Sequence, residues 1–102
     1  MIWKGNNGNV QFYQCELPYD VNEDFGTHGY RGYKVETALH HTAGGAGVYS
    51  NFRDFSVPVE TAIEHPPSDH INFVNPFTLY LNNKGTMQSV VNGNGGNATM
   101  QG

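Results

Sequence analysis

Glu16 and Asp20 are the two residues whose type and spacing best fit a chemical role. Hydrolysis of a glycosidic bond needs two flanking carboxyl groups, about 5–5.5 Å apart for retention or about 6.5–9.5 Å for inversion. The two acids bracket Leu17-Pro18-Tyr19, and Pro18 fixes the backbone where a strand would turn outward. We therefore expect both carboxylates to face one groove and predict them as catalytic residues. The alternative is that they only hydrogen-bond the backbone of a turn.

Aromatic and charged side chains near this pair are candidates for contact with a sugar. Aromatic rings offer stacking surfaces, an adjacent arginine and aspartate could orient a loop or bind hydroxyl groups, and a single histidine could act as a base. An ion pair within a loop and a hydrogen-bonded turn histidine are the structural alternatives. The predicted substrate-binding residues are Trp3, Tyr13, Tyr19, His41, Arg53 and Asp54.

Other kinds of chemistry find little support in the sequence. Residues 65–70 (HPPSDH) collect two histidines and an aspartate, but two prolines stiffen the segment and no third strong ligand stands at a metal-binding spacing. Residues 44–47 (GGAG) lack the Gly-Lys-Ser/Thr continuation of a phosphate-binding loop. We expect no metal ion and no cofactor.

Composition narrows the classes of partner. The 102 residues fit one domain, and the net charge of −4 and five scattered Lys and Arg residues argue against a nucleic-acid partner. No apolar run is long enough to cross a bilayer, so no membrane partner is expected. A single cysteine excludes a disulfide within the chain.

The elements that would hold these residues are short strands. Val, Ile, Phe and Tyr runs alternate about every ten residues with clusters of Gly, Asn, Asp and Pro, which is typical of an all-β fold. Asn is abundant at the strand ends, where stacked turns of a parallel β-helix can form side-chain ladders. Expected inward residues are Phe12, Phe52, Ile63, Ile71, Phe73, Phe77 and Val90.

Five blocks of the sequence resemble secreted β-helical proteins similar to glycoside hydrolase family 55. They are residues 2–21 (IWKGNNGNVQFYQCELPYDV), 29–35 (GYRGYKV), 45–54 (GAGVYSNFRD), 73–82 (FVNPFTLYLN) and 90–93 (VVNG). The resemblance implies an all-β, right-handed parallel β-helix of the pectin-lyase type. At roughly 20 to 25 residues per coil, residues 1–93 would form a partial β-helix domain of about four to five coils. Residues 94–102 would form a flexible tail.

The resemblance also implies a function for the whole protein. The chain would be the C-terminal part of an extracellular enzyme that hydrolyses a β-1,3-glucan-like polysaccharide, and its partners would be the polysaccharide and the preceding part of its own β-helix. In similar proteins a Glu-His pair that includes the general acid lies upstream of the Trp-x-Gly-x-x-Gly block, here Trp3 to Gly8. The chain alone is therefore expected to be inactive. Thr42 and Gly44 depart from the family pattern, which often has a glutamate and an aromatic residue there.

Two alternatives remain at this point. The chain could be a non-catalytic carbohydrate-binding or structural β-solenoid, or an inactive truncated fragment. An enzyme site would gather Glu16, Asp20 and a further residue such as His41 or Asp54 in one groove, whereas a binding module would show an aromatic strip without paired acids.

Overall fold

Several runs of β-branched and aromatic residues form β-strands, as the sequence predicts. Residues 7–11 (NGNVQ) and 40–44 (HHTAG) also form strands, although their composition is typical of turns. The computed structural model describes residues 1–22, 24–25, 31–82 and 84–92, with only the backbone of residues 85–87. The strands are β1 (Ile2–Lys4), β2 (Asn7–Gln11), β3 (Gln14–Glu16), β4 (Tyr33–Thr37), β5 (His40–Gly44), β6 (Gly47–Ser50), β7 (Val57–Val59), β8 (Ile63–Glu64), β9 (Ile71–Val74), β10 (Phe77–Tyr80) and β11 (Gly85–Met87). The predicted all-β class is confirmed for these residues. None of them lies in a helix that could cross a membrane. The predicted tail, 94–102, lies outside the described residues.

The strands form four sheets in which every described pairing is parallel. Sheet A has the order β1-β4-β8, sheet B the order β2-β5-β9, sheet C the order β3-β6-β10, and sheet D pairs β7 with β11. Consecutive strands of the chain therefore enter different sheets. Because parallel strands need a crossover connection, no strand pairs with its neighbour in sequence.

The chain enters sheets A, B and C in the same order three times. We call β1–β3 the first passage, β4–β6 the second and β8–β10 the third. His41 pairs with Gly8 and Ile71 pairs with His41, so successive passages are offset by 33 and 30 residues. The expected coil of 20 to 25 residues is too short. The three strands of a passage start five to eight residues apart, and a longer connection, such as residues 51–62 with β7, then leads back to sheet A.

The core lies on the inner sides of these strands. Successive side chains of a strand point to opposite faces, so in β6 Val48 and Ser50 are buried while Tyr49 faces outward. The predictions for Ile63, Ile71 and Phe52 are confirmed, since these residues are buried. Phe73 packs partly buried against the core. Val90 is half-buried.

The corner between sheets B and C has the same backbone conformation in all three passages. Phe12, Gly45 and Asn75 have φ values of 56°, 68° and 53°, and they lie directly after β2, β5 and β9. Gly and Asn tolerate this left-handed region, whereas a β-carbon makes it costly for Phe. The inward prediction for Phe12 is wrong, because this corner turns its ring outward and leaves it 83% exposed.

Beyond the ends of β6 and β10, Asn51 and Asn82 form one rung of the side-chain ladder that the abundance of Asn at the strand ends predicts. The Asn82 amide donates to Asn51 Oδ1 at 2.9 Å and to the Phe52 carbonyl oxygen at 2.8 Å. Asn82 Oδ1 accepts a hydrogen bond from the Lys84 backbone N–H at 2.9 Å. The Phe52 carbonyl and the Lys84 N–H lie outside the strands, and Asn82 supplies each of them with a hydrogen-bond partner.

Candidate functional site

The predicted site residues separate into an interior group and a surface group. The interior group comprises Trp3, Tyr13 and His41. Trp3 and Tyr13 are partly buried against the core, Trp3 contacts the His41 ring, and His41 is only 1% exposed. The surface group comprises Glu16, Tyr19, Asp20, Arg53 and Asp54. The structure therefore does not bring all eight residues into one groove.

The interior group is organised around Tyr33, which the sequence did not single out. The Tyr33 hydroxyl lies 2.6 Å from His41 Nε2, and its ring meets the Tyr13 ring edge-on with a centroid distance of 5.0 Å. The Trp3 ring lies 5.1 Å from the His41 ring, measured between centroids. Burial lowers the pKa of His41, with a further contribution from His65, and raises the pKa of Tyr33 to about 12. Because it is buried, His41 packs the core and does not face a substrate.

The surface group forms two separate pairs. The Tyr19 hydroxyl donates to Glu16 Oε1 at 2.9 Å, and Arg53 Nε lies 3.4 Å from Asp20 Oδ1. The hydrogen bond to the Glu16 carboxylate raises the pKa of Tyr19. A backbone hydrogen bond of 3.0 Å from Arg53 to the Tyr19 carbonyl joins the pairs. Each predicted catalytic carboxylate thus has its own local partner, and Asp54 is exposed.

The outer side of sheet C carries half-buried aromatic rings next to Glu16. Val48 and Thr78 are buried neighbours, so Gly47 and Tyr49 of β6 and Phe77 of β10 face outward. The inward prediction for Phe77 is wrong for this reason. Glu16 of β3 pairs in register with Tyr49, so the Glu16 side chain lies on the same face of sheet C as the two rings.

A glycine lets these rings lie close to the sheet. A β-carbon on Gly47 would come within 2.5 to 3.2 Å of the tip of the Phe77 ring, so the ring occupies the space of a missing side chain. The Tyr49 and Phe77 rings meet nearly perpendicularly at 6.0 Å between centroids. A shallow groove of about 410 Å³ borders the Tyr49 ring and is lined by Gln14, Cys15, Glu16, Tyr49 and Leu81. We call Gln14, Glu16, Tyr49, Phe77 and Leu81 the aromatic face.

A second groove, on the outer side of sheet A, is charged. It has a volume of about 660 Å³, and Arg31 Nη2 lies there 3.7 Å from Glu60 Oε2 and 3.8 Å from Glu64 Oε1. Lys34 Nζ lies 3.4 Å from Glu64 Oε2. The Arg31 side chain is only 8% exposed, and a buried guanidinium requires carboxylate partners. These acids therefore have a structural role in holding Arg31.

Metal-binding geometry is not found in the part of the chain that the structure describes. No three His, Cys, Asp or Glu side chains among those residues are grouped to hold a metal ion. The rings of His40 and His70 lie 4.7 Å apart between centroids, but no third His, Cys, Asp or Glu ligand joins them among the described residues. In the HPPSDH segment, His65 Nδ1 bonds to the Pro66 carbonyl oxygen at 2.8 Å, whereas the His70 ring lies against His40.

The outward aromatic residues were missed although the sequence carries a signal for them. Gly47 to Ser50 alternates Gly-Val-Tyr-Ser, and an inward Val48 requires an outward Tyr49. The same alternation in β10 makes Phe77 outward once Thr78 is inward. Polarity alone predicts that Phe77 faces the core and Thr78 faces outward, because Thr is the more hydrophilic of the two residues.

Comparison of the chain with protein-family models, with curated proteins and with solved structures gives no match in any of the three. The geometry of the aromatic face and the pairing of the sheets are therefore the basis for assigning a function.

Proposed function

We propose that the chain is part of a secreted carbohydrate-active protein and that polysaccharide binds on the aromatic face. The observation that carries this proposal is the arrangement of Tyr49 and Phe77 beside the Glu16 carboxylate on one open sheet surface. Aromatic rings bind the apolar face of a sugar, while a carboxylate and an amide bind its hydroxyl groups. Gln14 and Glu16 supply those polar groups at the edge of the groove.

The proposed architecture is a right-handed parallel β-helix of the pectin-lyase type. Three parallel sheets entered in constant order, with offsets of 33 and 30 residues, support this architecture. The recurring left-handed corner at Phe12, Gly45 and Asn75 and the Asn51–Asn82 ladder support it further, since stacked coils repeat their corners. A glycan could then lie across neighbouring strands of sheet C.

Hydrolysis is proposed for the longer protein only. Glu16 and Asp20 each have a local partner, Tyr19 and Arg53, so neither is positioned as half of an acid pair. A general acid would come from the preceding part of the β-helix. Strands β1, β2 and β3 each pair on one side only among the described residues, so that part could extend all three sheets. The polysaccharide we propose is a β-1,3-glucan-like chain.

Affinity electrophoresis in laminarin gels tests the binding site. We expect the chain to be retarded, and Tyr49→Ala and Phe77→Ala each to weaken binding about tenfold, which corresponds to about 1.4 kcal/mol of lost stacking. Phe55→Ala is the matched control, because Phe55 is exposed outside the aromatic face. Equal retardation of all variants, or none of the wild type, would contradict the proposal.

Reducing-sugar release distinguishes the enzyme from a binding module. The chain alone should release nothing from laminarin, and a chain extended upstream should release sugar. An extended chain that binds laminarin without releasing sugar would favour the non-catalytic β-solenoid.

A further inference from the structure

His41 is a titratable residue in the centre of the core that the proposed function does not use. It belongs to β5, the middle strand of sheet B, and is 1% exposed. Its Nε2 meets the Tyr33 hydroxyl, but its Nδ1 has no hydrogen-bond partner among the described residues. A β-carbon on Gly8 would overlap Nδ1, so the backbone of β2 closes over this nitrogen.

Only the neutral imidazole fits this environment. A neutral ring forms one hydrogen bond with the Tyr33 hydroxyl through Nε2, and Nδ1 then has no partner among the described residues. The cation carries an N–H on both nitrogens, so it would bury a positive charge and an unsatisfied donor under Gly8. Burial and the charge of His65 both lower the pKa of His41, in agreement with this geometry.

The groups that face His41 offer the cation no counter-charge. Trp3 of β1 and Phe73 of β9 contact its ring and do not titrate. Tyr33 of β4 is its neutral partner, and β2 presents the backbone of Gly8. His65 stacks on Phe73 with a centroid distance of 5.6 Å, and its charge opposes a cation on His41. His40, which precedes His41 in β5, is exposed.

A continuous set of contacts joins His41 to the aromatic face. Tyr33 packs edge-on against Tyr13, whose hydroxyl donates to the Gly32 carbonyl oxygen at 2.7 Å. Tyr13 directly precedes β3, which carries Gln14 and Glu16. In addition to its backbone pairing with β4–β6, the first passage therefore contacts the His41–Tyr33 pair through Trp3, Gly8 and Tyr13.

We infer that protonation of His41 releases the first passage, β1–β3, from the second and thereby removes Gln14 and Glu16 from the aromatic face. The loss of glycan affinity in acid rests on the proposed function, whereas the release of β1–β3 does not. An unfolded histidine titrates near pH 6.5, above the pH at which His41 does, so the released state binds more protons in the interval between the two values. The docked state is consequently favoured above pH 6.5 and loses stability as the pH falls below that value.

Trp3 is the only tryptophan and packs on His41, so its fluorescence reports release directly. We would record Trp3 emission and laminarin affinity from about pH 8 to about pH 4.5 for the wild type, His41→Gln and His40→Gln. The wild type and His40→Gln should show a red shift and at least a tenfold loss of affinity below pH 6.5. His41→Gln should show neither change. Ring NMR of wild-type His41, which needs no variant, should give a titration that coincides with the red shift.

Two results would overturn the inference. One is an emission maximum that stays constant in acid, and the other is an identical transition in His41→Gln and the wild type. A red shift with unchanged laminarin affinity would refute the link to the aromatic face. A red shift in a chain that binds no laminarin at pH 8 would instead refute the proposed function, and the release of the first passage would stand.

Discussion

Replacing Phe12 with Asn should stabilise the fold, because Phe12 combines an unfavourable backbone conformation with little burial. Its φ of 56° lies in the left-handed region, which costs an L-residue with a β-carbon roughly 1–2 kcal/mol. Its ring is 83% exposed and recovers about 0.3–0.5 kcal/mol, one sixth of the value of a fully buried ring. Asn occupies this conformation more readily, as Asn75 does at the same corner of the third passage. We expect a net gain of about 0.5–1 kcal/mol.

Urea denaturation followed by Trp3 fluorescence measures this change at neutral pH. The Asn variant should show a higher midpoint with an unchanged slope, and its melting temperature should rise by about 3–6 °C. Phe12→Ala is the matched control, since it keeps the β-carbon in the left-handed region and loses the ring. It should be slightly less stable than the wild type. If the Asn variant is no more stable than the Ala variant, backbone strain at this corner is not the reason.

Two further substitutions test the ladder and the aromatic face. Asn82→Ala removes two donated hydrogen bonds and leaves the Phe52 carbonyl oxygen without this partner, so it should cost about 1–3 kcal/mol in urea denaturation. The exposed Asn72 is its control, and a similar cost for Asn72→Ala would show that the ladder is not responsible. Gly47→Ala should displace the Phe77 ring and weaken laminarin binding about tenfold, while stability changes by less than about 1.5 kcal/mol. Unchanged binding would show that the position of the Phe77 ring over Gly47 does not contribute to laminarin affinity.

Part of the strand content could be predicted from the sequence because it depends on local composition, but residues 7–11 and 40–44 form strands in segments whose composition predicts turns. Runs such as Gly47–Ser50 and Ile71–Val74, bounded by Gly, Asn and Pro, became strands, and Asn82 formed the expected ladder with Asn51. The offset of about 30 residues could not be read in the same way. Pairing partners stand far apart in sequence, so strand spacing alone does not show how many strands make one passage.

The candidate site was predicted less well because side-chain direction depends on which residues face the core. His41 carries a catalytic type of side chain, yet it lies inside because it stands in register between Gly8 and Ile71 on the inner side of sheet B. Glu16 and Tyr19 lie three residues apart in one turn, so their short spacing in the sequence is sufficient to bring them together. Their association with Tyr49 needed the parallel register of β3 with β6, which the sequence does not display.

The parallel offset of the three passages also determines how the chain must fold. No strand can pair with the next strand in the sequence, so the first stable contact between passages closes a loop of about 30 residues. Such long-range pairing slows folding compared with hairpins of similar size. Once the second passage has paired with one neighbour, it presents three strand edges at once. We expect the remaining passage to pair along these edges, so β4–β6 would serve as the template for both outer passages.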